Sequence, residues 1–206
     1  MTTPTATEPL LFVLRERPGA DKADESLALV EPFDVPLPGG ASATMAPAWF
    51  DLIGDLQLRF VREMPDTQRS LHAGELGDLE LDVDEAIALG LANLHRLHGE
   101  PVARPWHELQ RVGGRTEDVD SAYFMDRTFW RARLAQHPEG LVVALPRTDL
   151  LLFAPLSDAA AVQGLRRGVA GLHAGAGDWR LSSALYLFKD DRWQVFQPAR
   201  RAPDAA

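Results

Sequence analysis

The 206-residue chain contains no cysteine. Disulfides, thiol nucleophiles, iron–sulfur clusters and cysteine zinc sites are excluded together, and a disulfide-free chain fits a reducing compartment. Lysine is almost as scarce: Lys22 and Lys189 are the only two, and arginine carries the remaining positive charge. Positive charge as a whole is in the minority, with 21 basic against 30 acidic residues, a net charge of −9 and a pI near 5.1. Affinity for duplex nucleic acid or an anionic membrane rests on cationic neutralisation of phosphates, so neither is an expected partner. Long apolar runs are missing as well. Residues 10–14 and 150–156 fall far short of the roughly 20 residues that a membrane-spanning helix needs. Residues 1–9 lack the basic and apolar regions of a signal peptide, and the expected location is cytoplasmic.

What is present describes a globular chain. Hydrophobic residues make up 46% and charged residues 25%, ordinary values for a packed domain. The expectation is one α+β domain over residues 10–197, with disordered ends at 1–9 and 198–206. Three prolines and the pair Gly39-Gly40 make residues 32–40 a linker or turn, where any internal boundary would fall. Short strands are expected at 10–14 and 27–30. The alternation Leu56-Gln57-Leu58-Arg59-Phe60 is that of a half-buried strand, with 69–72 pairing back across a turn at 64–67. Asp82 and Glu85 form a capping box for a helix whose stripe is Ile87, Leu91, Leu94 and Leu97, ended by Gly99 and Pro101. Residues 102–120 read as irregular. A second helix is expected over 121–136. Residues 141–145 and 150–154 are apolar on both faces, as central strands are. Asp158 caps a third helix with the stripe Val162, Leu165, Val169 and Leu172. Gly164, Gly168 and Gly171 interrupt that helix at about 1 kcal/mol each relative to alanine, which points to close approach of a neighbour. A final hairpin spans 181–188 and 193–197. Hairpins separated by helices imply mainly antiparallel sheet with about three helices packed on it.

No complete catalytic motif emerges. Gly40-Ala41-Ser42-Ala43-Thr44 lacks the second glycine of a nucleophile elbow. Gly175-Ala176-Gly177 lacks the third glycine of a dinucleotide fingerprint. His107-Glu108-Leu109-Gln110-Arg111 places an arginine where a zinc protease needs its second histidine. His95 and His98 share a helix face without a third ligand nearby, and read as solvated histidines at the helix's negative end. The alternating acids Asp78, Glu80, Asp82 and Asp84 begin like a calcium loop, but the sixth and twelfth positions hold Val83 and Leu89. No metal and no cofactor is therefore expected, and the balance leans away from an enzyme. Phe129, Trp130, Tyr186, Trp193 and Phe196 sit at core positions.

Strand 56–62, a short return and helix 81–97 with its Ala92-Asn93-Leu94 resemble the YtpQ-like family, an uncharacterised bacterial protein family. So do Phe129-Trp130, the segment 140–150 (GLVVALPRTDL), and the helix followed by a last strand pair. The resemblance covers roughly residues 56–196, and the N-terminal fifty-odd residues match it less well. It implies a bacterial protein without an assigned activity or cofactor. The distinctive polar residues in that stretch are Asn93, Arg147 and Asp149.

Two functional readings follow. In the first, the chain is a non-enzymatic interaction or regulatory domain, of the immunity type for example, meeting a protein partner's basic surface through Asp78, Glu80, Asp82 and Asp84. In the second, it is a small-ligand binder or unrecognised enzyme whose polar pocket is built from Asn93, Arg147 and Asp149.

Overall fold

A computed structural model describes residues 8–64 and 67–200. The expected ends at 1–7 and 201–206 and the turn residues Pro65 and Asp66 lie outside the described residues. In chain order the elements are β1 (Leu10–Glu16), β2 (Ala28–Leu29), β3 (Phe33–Pro36), β4 (Ser42–Met45), β5 (Trp49–Ile53), β6 (Leu56–Glu63) and β7 (Gln68–Ser70). Helices α1 (Ala73–Gly77) and α2 (Val83–His98) follow, then β8 (Val102–Trp106) and β9 (Leu109–Gly113). A 3-10 segment over Asp120–Met125 leads into α3 (Arg127–Leu134). The chain continues through β10 (Leu141–Arg147), β11 (Leu150–Pro155), α4 (Ala159–Ala174), a 3-10 turn at Gly177–Trp179, β12 (Leu185–Lys189) and β13 (Arg192–Gln197).

Every strand pairing is antiparallel. One sheet runs β1-β6-β5-β2, with β7 also on β6; the other runs β13-β12-β10-β11-β9-β8; β3 and β4 form a separate ribbon. This is the α+β architecture with antiparallel sheets that the hairpin pattern implies. The doubly apolar strands occupy the middle of the six-stranded sheet. Because side chains alternate across a strand, Leu141, Val143, Leu151 and Phe153 enter one core. Val142, Ala144, Leu152 and Ala154 enter a second core under Val162, Leu165 and Val169 of α4.

The first core draws on both sheets. Its centre is aromatic: Phe124 stacks on Trp193 with ring centroids 3.9 Å apart, and Trp130 meets Phe153 and Trp193 edge to face. Phe129, Trp130, Tyr186 and Trp193 are all buried, while Phe196 packs on the α4 side beneath Arg166. On the five-stranded sheet, α2 lies against β1. A Cβ at Gly90 would meet the Phe12 ring at 2.8 Å, so glycine is what admits the ring. The buried stripe of α2 is Ala86, Gly90 and Leu94, with Ile87, Leu91 and Leu97 at its margin. The stripe thus centres one residue before the large side chains, because Phe12 fills the groove that the small ones leave.

The capping boxes and stops behave as the sequence implies. Asp82 accepts from the Glu85 amide at 2.8 Å while Glu85 reaches back to Asp82, and Gly99 ends α2 at φ 87°. Asp158 caps α4 by accepting from Ala161. Four local expectations are corrected. Residues 32–40 are not a bare linker, since β3 lies within them and pairs with β4. Residues 102–120 are not irregular: β8 and β9 form a hairpin at the sheet edge. The open edge of β8 lets Arg104 and Pro105 sit within that strand. The helix expected over 121–136 is broken at Asp126, whose side chain caps α3. His95 and His98 are tied rather than solvated, His95 Nε2 lying 2.9 Å from Asp126 Oδ2 and His98 Nδ1 2.6 Å from Thr116 Oγ1.

Asp126 therefore holds two elements at once, accepting from the Phe129 amide at 3.0 Å with one oxygen and meeting His95 with the other. Asp126→Ala removes a helix cap and leaves His95 Nε2 without its partner, the ring keeping only Glu100 at 3.2 Å on Nδ1. The expected loss is about 2 kcal/mol in the unfolding free energy, measured by urea denaturation against wild type.

Candidate functional site

A cleft of about 1060 Å³ opens where the two sheets meet. Four segments wall it: the loop after β1, the turn between β5 and β6, the C-terminal end of α4, and the irregular chain on either side of the β12–β13 hairpin. Each wall has a local reason to hold its shape. The loop after β1 is organised by Lys22, whose ammonium donates to the Asp24, Ser26 and Leu52 carbonyls at 2.8, 2.8 and 3.1 Å and to Ser26 Oγ at 2.7 Å. Arg17 pairs with Asp51 on β5, and its amide donates to the Asp55 carbonyl at 2.7 Å. The segment after β13 is fastened by the Arg200 amide, which donates to Ser183 Oγ at 2.9 Å. Residues 198–200, expected as free tail, are thus part of the wall.

The floor is a buried polar cluster. Asp55 follows Gly54, which turns the chain at φ 59° and leaves no room for a side chain, since a Cβ there would lie 2.9 Å from the Tyr186 hydroxyl. Asp55 is only 2% exposed. Its Oδ1 accepts from Ser182 Oγ and from Tyr186 OH, both at 2.6 Å, and Ser182 Oγ in turn accepts from the Ala184 amide at 3.0 Å. Oδ2 is buried with no hydrogen-bond partner. Burial pushes the Asp55 carboxyl above its ordinary range, against the two hydroxyl donors that favour the ion. It pushes the Tyr186 hydroxyl well up too, with the neighbouring carboxylate adding to the shift. Ser182 is fully buried and committed on both sides, so this cluster joins the sheets and does not present a nucleophile.

Ionic groups line the cleft above that floor. Glu16 and His173 face one another at 3.3 Å. Arg180 and Arg200 are exposed in the wall and, among the described residues, neither forms an ion pair. Asp21 stands in the opposite loop, also exposed. The arrangement offers two cationic groups to an anion, with acidic groups across a recess otherwise walled by small residues such as Gly19, Ala20, Ala170 and Ala174.

The residues singled out from the sequence stand elsewhere. Asn93 donates from Nδ2 to the Leu10 carbonyl at 3.0 Å, tying α2 to β1. Arg147 and Asp149 do meet, through a two-pronged pair at 2.8 and 2.5 Å across the β10–β11 turn. Asn93 is not brought to them, and none of the three lines the cleft. Asp78, Glu80, Asp82 and Asp84 are all exposed around the start of α2, where Asp82 serves as its cap. Asp55, His173, Arg180 and Arg200 carry no sequence signal, since none of them belongs to a motif.

A second acidic residue is perturbed. Asp120, 1% exposed, accepts from Arg111 Nη2 at 3.0 Å and from the Gly114 amide at 3.2 Å. The same Arg111 nitrogen reaches the Asp149 carbonyl at 3.2 Å, so the β10–β11 turn is anchored here. Burial raises the Asp120 carboxyl to about 6 despite these donors. No group of three or more potential metal ligands occurs among the described residues, and none of their helices is long and apolar enough to cross a membrane.

No protein-family model, curated protein or solved structure matches the chain.

The Asp120 shift sets a pH dependence. A carboxyl held near 6 in the folded chain and near 3.8 when unfolded binds its proton more tightly when folded. Its contribution to stability is fully present below about pH 4 and is lost as pH rises through about 6. Over that window the unfolding free energy of wild type should fall relative to Asp120→Asn by on the order of 2–3 kcal/mol. Paired denaturant titrations at each pH isolate this difference from the other carboxyls.

Proposed function

We propose that the chain is a small-ligand-binding protein whose site is the cleft above Asp55, and that its ligand carries a carboxylate or phosphate. The observation that supports this is the pair of guanidinium side chains, Arg180 and Arg200, standing without carboxylate partners among the described residues in the wall of a recess of about 1060 Å³. Ligand sites favour junctions between layers and typically occupy roughly 300–1,000 Å³, and guanidinium groups suit planar, two-pronged binding of such anions. Asp21 and the Glu16–His173 pair would take hydrogen-bond donors at the ligand's other end. The locked geometry of Ser182 favours binding over catalysis. We further propose membership of the YtpQ-like family, supported by the strand, helix and hairpin segments that resemble it.

The test uses the full chain with inorganic phosphate, succinate and a nucleoside monophosphate, followed by backbone amide shifts in NMR. At least one probe is expected to bind saturably and move the amides of residues 19–21 and 180–183. Arg180→Ala with Arg200→Ala should weaken that binding at least tenfold, the loss corresponding to about 1.4 kcal/mol. Saturable binding that is indifferent to both substitutions, or no binding by any anionic probe, rejects the reading.

A second reading, as a protein-interaction domain, is supported by the β3–β4 ribbon. Its register places Phe33, Val35, Ala43 and Met45 on one face. Leu29, Phe33 and Leu37 are 54%, 39% and 45% exposed in this region, an apolar face of the kind found at protein contacts. Leu37→Glu is expected to leave the unfolding free energy within about 0.5 kcal/mol of wild type while reducing recovery of a cross-linked complex in cells. Undiminished recovery excludes this ribbon as the contact.

A further inference from the structure

A separate apolar slot of about 370 Å³ lies between α4 and the six-stranded sheet. Leu109, Ala144 and Leu152 form its floor, and Trp106, Leu165 and Val169 stand beside it. Gly164 and Gly168 line it from the helix. Close approach of a neighbour is the usual reason for glycine within a helix. At Gly168 that reason is absent, because a Cβ there would meet nothing within 4 Å. Nor does the backbone demand it, since Gly168 lies within regular helix and does not adopt a positive φ. Gly168 stands exposed at the rim of the slot, so glycine here lowers helix stability without relieving a clash and leaves the mouth of the slot uncovered.

At Gly164 the neighbour is different. A Cβ would lie 2.9 Å from Glu108 Oε1, which places that carboxylate beside the slot. Among the described residues Glu108 forms no ion pair and accepts no side-chain hydrogen bond. The recess is apolar, and Glu108 stands exposed at its rim beside His107; its carboxylate is the charge that favours an apolar body bearing a positive one. We infer that this slot is a binding site for a small hydrophobic amine, its hydrocarbon part seated between α4 and the sheet and its ammonium paired with Glu108. The site is independent of the cleft above Asp55.

The probe is 2-phenylethylamine, titrated into the full chain and followed by the backbone amides of residues 164–169 and 108–109. The neutral counterpart 2-phenylethanol serves as control. Saturable shifts are expected with the amine, with binding by the alcohol at least tenfold weaker and an equal loss in Glu108→Gln. Gly168→Leu should cover the mouth of the slot, raise the melting temperature by several degrees and abolish the shifts. Gly168→Ala, which adds only one methyl group, should remain folded, melt higher than wild type and bind the amine more weakly. Equal binding of amine and alcohol overturns the assignment to an amine. Absence of saturable shifts at millimolar amine overturns the site, and so does a melting temperature lowered by Gly168→Ala.

Discussion

The Asp55 carboxylate is the contact on which the arrangement of the two sheets turns. It leaves a tight β5–β6 turn in the five-stranded sheet and accepts two hydroxyl donors at 2.6 Å from the segment that enters the six-stranded sheet. In an environment this dry, an unmet polar group costs several times what an exposed one does; the two hydroxyls meet Oδ1, while Oδ2 is left unmet. Gly54 makes that placement feasible, because any side chain at that position would collide with the Tyr186 hydroxyl. The cluster thus ties the two sheets together at the floor of the cleft.

The aromatic core does complementary work. Phe124, Trp130, Phe153, Phe188 and Trp193 supply a large non-directional attraction, most of it between the six-stranded sheet and the 3-10 and α3 segments that cross it. Such burial holds layers together but does not choose their register. Directional bonds choose it: Asn93 to Leu10, His95 to Asp126, Arg111 to Asp120, and Trp130 Nε1 to the Tyr123 carbonyl at 2.9 Å. Charge in this acidic chain follows the same division. Some part-buried arginines are held against aromatic faces or paired, as Arg59 is 3.8 Å over Trp49 and Arg111 meets Asp120, whereas Arg180 and Arg200, where the cleft opens, form no ion pair among the described residues.

Helix α4 separates two kinds of recess. Toward its C-terminal end Ala170, His173 and Ala174 wall the polar cleft, and one to two turns earlier Gly164, Leu165 and Gly168 border the apolar slot. Its glycines have unlike roles, which a sequence cannot distinguish. Gly164 sits beside a carboxylate, and Gly168 and Gly171 have nothing near the position of a Cβ.

What the sequence by itself determined is local and periodic. The caps at Asp82 and Asp158, the stop at Gly99, the hairpin of β10 and β11 and its central position all follow from side-chain alternation and the needs of helix ends. The β8–β9 hairpin escaped that reading, since the exposure of its edge strand β8 relaxes the pattern that marks a strand. The break at Asp126 escaped it because capping competes with an otherwise unbroken apolar stripe. Only the tertiary structure decided the rest. Asp55 and Tyr186 are 131 residues apart, and no local rule distinguishes a glycine-aspartate turn in water from one buried against another sheet. The same holds for Asn93, which sequence reading grouped with Arg147 and Asp149, and which packing instead assigned to the β1 backbone. Chemistry in this chain arises where distant segments meet, and the meeting is set by core packing and by the dry carboxylate at its edge.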